Sequence, residues 1–261
     1  VSLVGHSPSQ AHRIELGGLV YFRAVKSLRI LITGGSSGIG AATAKLLAER
    51  GHRIYLLARK AEPMETIKSQ FPAGQLAWKQ ADVRVPEDIQ AGVSEMKALW
   101  GGIDVCIPNA GLGIFSPLQD ARLEDWHTMV DINITGVLNT LHAALPSLVE
   151  NRGHVIQIGS IAARNVFPNS GVYCATKHAV LAISESLRLE YRNELAVTTV
   201  NPGAVDTAFI DQTQNDELRE SYRPQFQEGM RPEFIAEAIA MAVEARGKGV
   251  FSEITVRPDR R

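Results

Sequence analysis

The sequence predicts an α/β fold: a doubly wound, mostly parallel, seven-stranded sheet with helices on both faces. Three observations carry this. From residue 29 onward, short apolar runs alternate with helix-patterned stretches, which implies right-handed crossovers onto a parallel sheet. A glycine turn joins the first run to the first helix. The chain has 261 residues, 45% of them hydrophobic and 21% charged, which suits one undivided α/β domain.

The elements follow in order. Arg29-Ile-Leu-Ile-Thr33 is a short apolar run and reads as a buried strand. Residues 41–50 are rich in Ala and Leu and close at Gly51, the pattern of a helix. Residues 53–57 form the second strand, 62–70 a polar helix that stops before Pro72, and 75–79 the third strand. Pro86 opens a helix that runs to about Trp100, and 104–108 is the fourth strand. One long helix is expected over roughly 123–150, with Pro146 as its bend. Strands at 154–158, 196–200 and 253–256 and helices at 171–193 and 233–244 complete the series. An irregular stretch of about 204–231 is long for a compact domain, as functional lids are.

Residues 1–28 read as an N-terminal extension, part of it a remnant or an incomplete start, that packs on its own domain or on a partner subunit. Residues 29–261 read as a single domain. The formal net charge of -1, with Lys and Arg scattered, points away from nucleic acid and membrane surfaces as partners. No segment reaches the ~18 consecutive apolar residues of a membrane span. The two cysteines, Cys106 and Cys174, lack metal-ligand spacing, the histidines show none either, and a cytoplasmic location is expected.

Tyr173 and Lys177 sit four apart in a helical pattern, so they share a face. A cation beside a phenol favours the phenolate and brings the group nearer to proton exchange at neutral pH. The turn Thr33-Gly34-Gly35-Ser36-Ser37-Gly38-Ile39-Gly40 has the spacing G-x-x-x-G-x-G. Gly34 allows a sharp turn, Gly38 lets backbone N–H groups approach a pyrophosphate, and Gly40 lets helix and sheet close. At the end of the second strand stand Arg59 and Lys60, not the carboxylate that grips a ribose 2′-hydroxyl. A guanidinium grips a 2′-phosphate, so NADP(H) is favoured over NAD. Asp82 either accepts from an adenine amino group or caps the helix opening near Pro86.

With these residues in place, the chain resembles the short-chain dehydrogenase/reductase family in its single-domain, Rossmann-type form. The resemblance runs from about residue 29 to 256. Its motifs are Thr33 to Gly40, Asp82, Asn109-Ala110-Gly111, Asn133, Ser160, Tyr173-x-x-x-Lys177 and Asn201-Pro202-Gly203 followed by Thr207. The resemblance implies that Tyr173 is the general acid or base and that Ser160 bonds the substrate oxygen. It implies that Lys177 lowers the Tyr173 pKa and holds the nicotinamide ribose, and that Asn133 keeps a relay water. Asp82 and Val83, Asn109 to Gly111, and Pro202, Gly203, Val205 and Thr207 would line the cofactor. It also implies a homodimer or homotetramer built on the helices near 123–150 and 171–193. Two positions depart from the pattern: Pro108 replaces a first Asn, and Gly159 replaces a second Ser.

The expected substrate pocket draws on Leu112, Ile114, Phe167 and Phe209, with Tyr222 and Phe226, and suits a small or medium ketone. Arg164 is the one cation there and is expected to meet a substrate carboxylate or to stand solvated on the rim. The leading expectation is an NADP(H)-dependent carbonyl reductase, reversible as an alcohol dehydrogenase. An NAD-dependent alcohol dehydrogenase and a non-catalytic NADP-binding regulatory protein stay open as alternatives.

Overall fold

Seven apolar segments can lie side by side only if both sheet faces are covered, and the chain supplies helices for each. The computed structural model describes residues 11–16, 19–24 and 27–259. Its main sheet consists of β3 (Arg29–Thr33), β4 (Arg53–Ala58), β5 (Leu76–Gln80), β6 (Val105–Ile107), β7 (His154–Ile158), β8 (Ala196–Pro202) and β9 (Glu253–Val256). The strand order is β5-β4-β3-β6-β7-β8-β9, and every neighbouring pair is parallel. The order reverses between β3 and β6. That switch point opens a crevice at the carboxyl ends of the strands, where α/β proteins bind ligands.

The pleat sorts the core into two layers. Ile30, Ile32, Ile54 and Leu56 pack with Leu47 of α1 (Gly38–Glu49), Met64 of α2 (Ala61–Lys68) and Ile239 of α8 (Pro232–Glu244). Leu31, Tyr55 and Cys106 point the other way. They meet Val93 of α3 (Pro86–Trp100), Leu141 of α5 (Gly136–Glu150) and Val180 of α6 (Gly171–Glu190). This is the Rossmann-type doubly wound arrangement.

Three local expectations change. The helix expected over 123–150 is α4 (Leu123–Val130), a π-helical segment (Asp131–Thr135) and α5, so it carries an irregularity at Asn133 that was not expected, with Pro146 inside α5. A π-bulge adds a residue to the turn and re-aims one side chain, and here that side chain is Asn133. The whole run Leu123–Glu150 has a window of mean hydropathy 1.2. By length and composition it could cross a membrane, but 56% of that window is buried inside the fold. The stretch 204–231 is not irregular: it holds a 3-10 turn (Ala208–Gln212) and α7 (Asp216–Gln227). Asn215 caps α7 by accepting from Leu218 N–H, at 2.8 Å, a signal that the polar composition hid.

The N-terminal extension contains an antiparallel hairpin, β1 (Ala11–Leu16) and β2 (Leu19–Ala24). Residues 1–10, 17–18, 25–26, 260 and 261 lie outside the described residues. The expectation that the extension packs on its domain or a partner falls there as well.

Candidate active site

A cleft of about 890 Å³ runs along the carboxyl ends of the strands, from the glycine turn to α7. One end is made of backbone. Gly34 has φ +68, and a Cβ there would sit 2.8 Å from Ala110 Cα. A Cβ on Gly40 would sit 2.4 Å from the Gly34 carbonyl oxygen, so α1 closes on the turn only through glycine. The α1 N-terminus has no side-chain cap and no acid in its first turn, whereas α3 carries Glu87 and Asp88 there. Free N–H groups and a positive dipole end face the cleft, the makings of an anion site.

Asn109 staples this turn to the next strand. Its Nδ2 donates to the Thr33 carbonyl (2.9 Å) and the Gly34 carbonyl (3.2 Å). Thr33 is buried and does not reach the cleft. Its Oγ1 accepts from the backbone N–H of Asn109 (3.1 Å) and Ala110 (3.2 Å). Those bonds continue the strand pairing beyond Pro108, which has no N–H to offer. Thr33 and Gly40 therefore shape the turn from behind, while Ser36, Ser37, Gly38 and Ile39 line the cleft.

Arg59 and Lys60 line the cleft at the end of β4, both exposed and, among the described residues, in no salt bridge; the Arg59 charge helps hold Asp82 ionised. Asp82 does not cap α3, whose N-cap is Val85. Its carboxylate accepts from Arg84 Nε and Nη2 (2.6 Å), and that bond holds it below the usual carboxylate range. Asp82, Val83, Asn109, Ala110 and Gly111 all line the cleft, as do Pro202, Gly203, Val205 and Thr207 beyond β8. Lys45 lines it too, one residue that the sequence reading missed. Its signal was position: seven residues past Gly38, it shares that face of α1.

The other end carries the proton-transfer groups. Ser160 ends β7 as N-cap of a one-turn 3-10 helix, with its Oγ accepting from Ala162 N–H at 3.1 Å. Tyr173 and Lys177 project from the first turns of α6 into the same cleft. Burial pushes the Tyr173 phenol up to about 12, and its hydrogen bond with Ser160 pulls the other way. Burial also pushes the Lys177 ammonium down to about 8. Its Nζ donates to the Ile158 carbonyl at 2.9 Å and lies 5.9 Å from the Tyr173 ring centroid. Burial thus raises the phenol, and the group that lowers it is Ser160, not the Lys177 ammonium as expected.

Asn133 is buried and serves as a clamp on the cleft wall. Its Oδ1 accepts from Leu112 N–H (2.8 Å), and its Nδ2 donates to Leu112 O (2.8 Å) and Thr176 Oγ1 (3.0 Å). Thr176 in turn donates to the Tyr173 carbonyl at 2.7 Å, so the π segment is tied to the start of α6. Thr176 carries no spacing signal; only the fold brings it to Asn133.

Rings close the substrate end. Phe209 lies 5.4 Å from the Tyr173 ring and 6.0 Å from Phe226, and Phe115 lies 5.2 Å from Tyr222. Leu112 and Phe167 also line the cleft. Two expected pocket residues do not. Ile114 is turned inward, with its N–H donating to Met129 Sδ at 3.4 Å, and Phe115 takes its place. Arg164 is paired with Glu253, Nε to Oε1 at 3.0 Å and Nη2 to Oε2 at 2.6 Å, outside the cleft lining. A carboxylate already fills its guanidinium fork, so it is not free for a substrate acid and stands exposed, as the solvated alternative expected.

Residues 29–218 match the family model for short chain dehydrogenase. An uncharacterized oxidoreductase of Staphylococcus saprophyticus is 36% identical over 238 residues, covering 90% of this chain and 97% of that one. An alcohol dehydrogenase from the archaeon Thermococcus sibiricus, solved with 5-hydroxy-NADP, is similar in structure. Its TM-score is 0.81 at 29% identity, covering 90% of this chain and 98% of that one. The closed form of a serine dehydrogenase with NADP+ gives 0.82 at 29% identity, covering 88% and 95%.

Proposed function

The chain belongs to the short-chain dehydrogenase family, and from that premise we propose that it is an NADP(H)-dependent carbonyl reductase, reversible as an alcohol dehydrogenase. One observation carries the reading. A single cleft joins a glycine-shaped anion site to Ser160, Tyr173 and Lys177. The fit to NADP(H) rests on the uncapped α1 N-terminus, the space that Cβ atoms at Gly34 and Gly40 would fill, and the exposed cations Arg59 and Lys60 on the cleft.

In this reading the turn from Ser36 to Ile39 holds the pyrophosphate and Arg59 with Lys60 holds the 2′-phosphate. Asp82 and Val83 face the adenine, and Asn109 to Gly111 with Pro202 to Thr207 border the rest. The nicotinamide supplies or accepts the hydride. Tyr173 gives a proton to the carbonyl oxygen in reduction and takes one from the alcohol in oxidation. A phenol held near 12 is protonated at neutral pH, the form that donates. Ser160 donates its hydroxyl hydrogen to the same oxygen as charge grows on it. Lys177, lowered toward neutrality, returns a proton to the phenolate. Asn133 clamps Leu112 and, through Thr176, the tyrosine turn.

The aromatic walls favour an uncharged alkyl or aryl ketone. Exposed Leu123, Val130 and Leu138 on α4–α5, and Leu189 at the end of α6, support pairing of these helices in a homodimer or homotetramer.

A panel of ketones and alcohols with both cofactors tests the proposal. Reduction with NADPH should exceed that with NADH by about 10-fold or more, and Arg59→Asp should erase the preference. Equal use of NADH would return the NAD-dependent reading. Tight NADPH binding with no turnover across the panel would return the non-catalytic one.

A further inference from the structure

Two residues that the family pattern leaves unexplained, Gly159 and Arg164, meet in one hydrogen-bonded chain. The backbone N–H of Ser160 donates to Asn201 Oδ1 at 3.2 Å. Asn201, 2% exposed at the end of β8, donates through Nδ2 to Glu253 Oε1 at 2.7 Å. Arg164 holds both oxygens of Glu253. Gly159 makes room for this: a Cβ there would lie 2.1 Å from Asn201 Oδ1.

We propose that Asn201 and Glu253 are positioning residues that fix Ser160 for the reaction. The inference rests on the carbonyl reductase reading above. Ser160 is held at two atoms. Asn201 holds its N–H from the β8 side, and Ala162 N–H occupies a lone pair of its Oγ. The hydroxyl hydrogen is shared with the Tyr173 oxygen and can turn from it to a substrate oxygen that enters beside both. Glu253 orients the Asn201 amide, because a carboxylate accepts only from the NH₂ end and so turns Oδ1 toward Ser160. Arg164 holds Glu253 in turn. A network that served only to pair β8 with β9 would have no need to end on the serine N–H or to exclude a side chain at 159. The chain thus connects the edge strand of the sheet to the proton-transfer group.

The test compares Asn201→Ala, Glu253→Gln, Gly159→Ala and the Asn201/Glu253 double variant. It measures kcat, KM, NADPH affinity and Tm. Asn201→Ala should lower kcat about 10- to 100-fold, the scale of a misplaced reacting group. KM and NADPH affinity should stay within about twofold. Glu253→Gln keeps an acceptor for Asn201 and should lower kcat less, about 3- to 10-fold. The double variant should be no worse than Asn201→Ala alone, because the two act through one bond. Gly159→Ala should act as Asn201→Ala does, and it and Glu253→Gln keep the test open if Asn201→Ala does not fold. A wild-type kcat in folded Asn201→Ala, or additive losses, would overturn the proposal. If the wild type turns over no substrate, the functional reading has failed instead. Amide exchange at Ser160 then decides the positioning: lost protection in Asn201→Ala supports it, and unchanged protection overturns it.

Discussion

The two ends of the cleft are built from different materials. The glycine-turn end is backbone. Its shape comes from positions where no Cβ fits and from Asn109 and Thr33, whose side chains bond main-chain groups. The substrate end is side chain, with the rings of Phe115, Phe209, Tyr222 and Phe226 clustered with that of Tyr173. The helix that carries two of those rings, α7, has no fully buried residue. Backbone geometry recognises a constant phosphate-bearing group. A loosely held aromatic wall can admit varied substrates, because few buried contacts make local opening cheap. One end is therefore expected to fail all at once when altered, and the other by degrees.

The largest effect should come where the two ends meet. Tyr173→Phe removes one oxygen and keeps the ring that Phe115 and Phe209 contact. Loss of a general acid costs about 10²- to 10⁴-fold, so kcat should fall about 10³-fold while NADPH binding, followed by its fluorescence, stays unchanged. An equal loss of NADPH affinity would mean that the two ends are not separable. The next effect belongs to the backbone end. Gly40→Ala forces a Cβ against the Gly34 carbonyl and Asn109 Nδ2. Overpacking of that kind costs about 1–3 kcal/mol, which lowers Tm by about 2–12 °C in a chain of this size. NADPH affinity should fall about 100-fold, since α1 can no longer close on the turn. Full NADPH affinity in this variant would break the claim that glycine shapes the site.

The same contrast explains what the sequence revealed. The central strands β3, β4 and β6 were legible because burial on both faces leaves them nearly uninterrupted apolar runs. The glycine turn was legible because backbone constraints leave a fixed spacing. Asn133 was legible as a polar residue in an apolar helix, but the π segment around it was not, since α and π turns share one hydrophobic pattern. Ile114 and Phe115 are adjacent in sequence, and only the chain path decides which faces inward. The pairing of Arg164 was not legible because its partner, Glu253, is 89 residues away, and an ion pair at that separation has no local signature. Tyr173 and Lys177 were placed on one face, yet their charge behaviour was not legible, because burial dominates both groups and depends on the fold around them.

The smallest effect should come from the wall itself. Phe226 is half-buried on α7 and touches Phe115 and Phe209 at centroid distances of 6.3 and 6.0 Å. Its removal in Phe226→Ala forfeits part of a side-chain burial, about 1–1.5 kcal/mol for a half-covered ring. If the ring contributes that energy to substrate binding, KM for an aryl ketone should rise about 10-fold and KM for a short alkyl ketone by less. Because α7 contributes no fully buried residue, Tm should fall by no more than about 6 °C, the cost of that partial burial. NADPH affinity should not change, because the ring lies beyond Tyr173 from the glycine turn. A large drop in Tm would place α7 in the folded core and not in a movable wall. An equal rise in KM for alkyl and aryl ketones would mean that the rings position the lid and do not read the substrate.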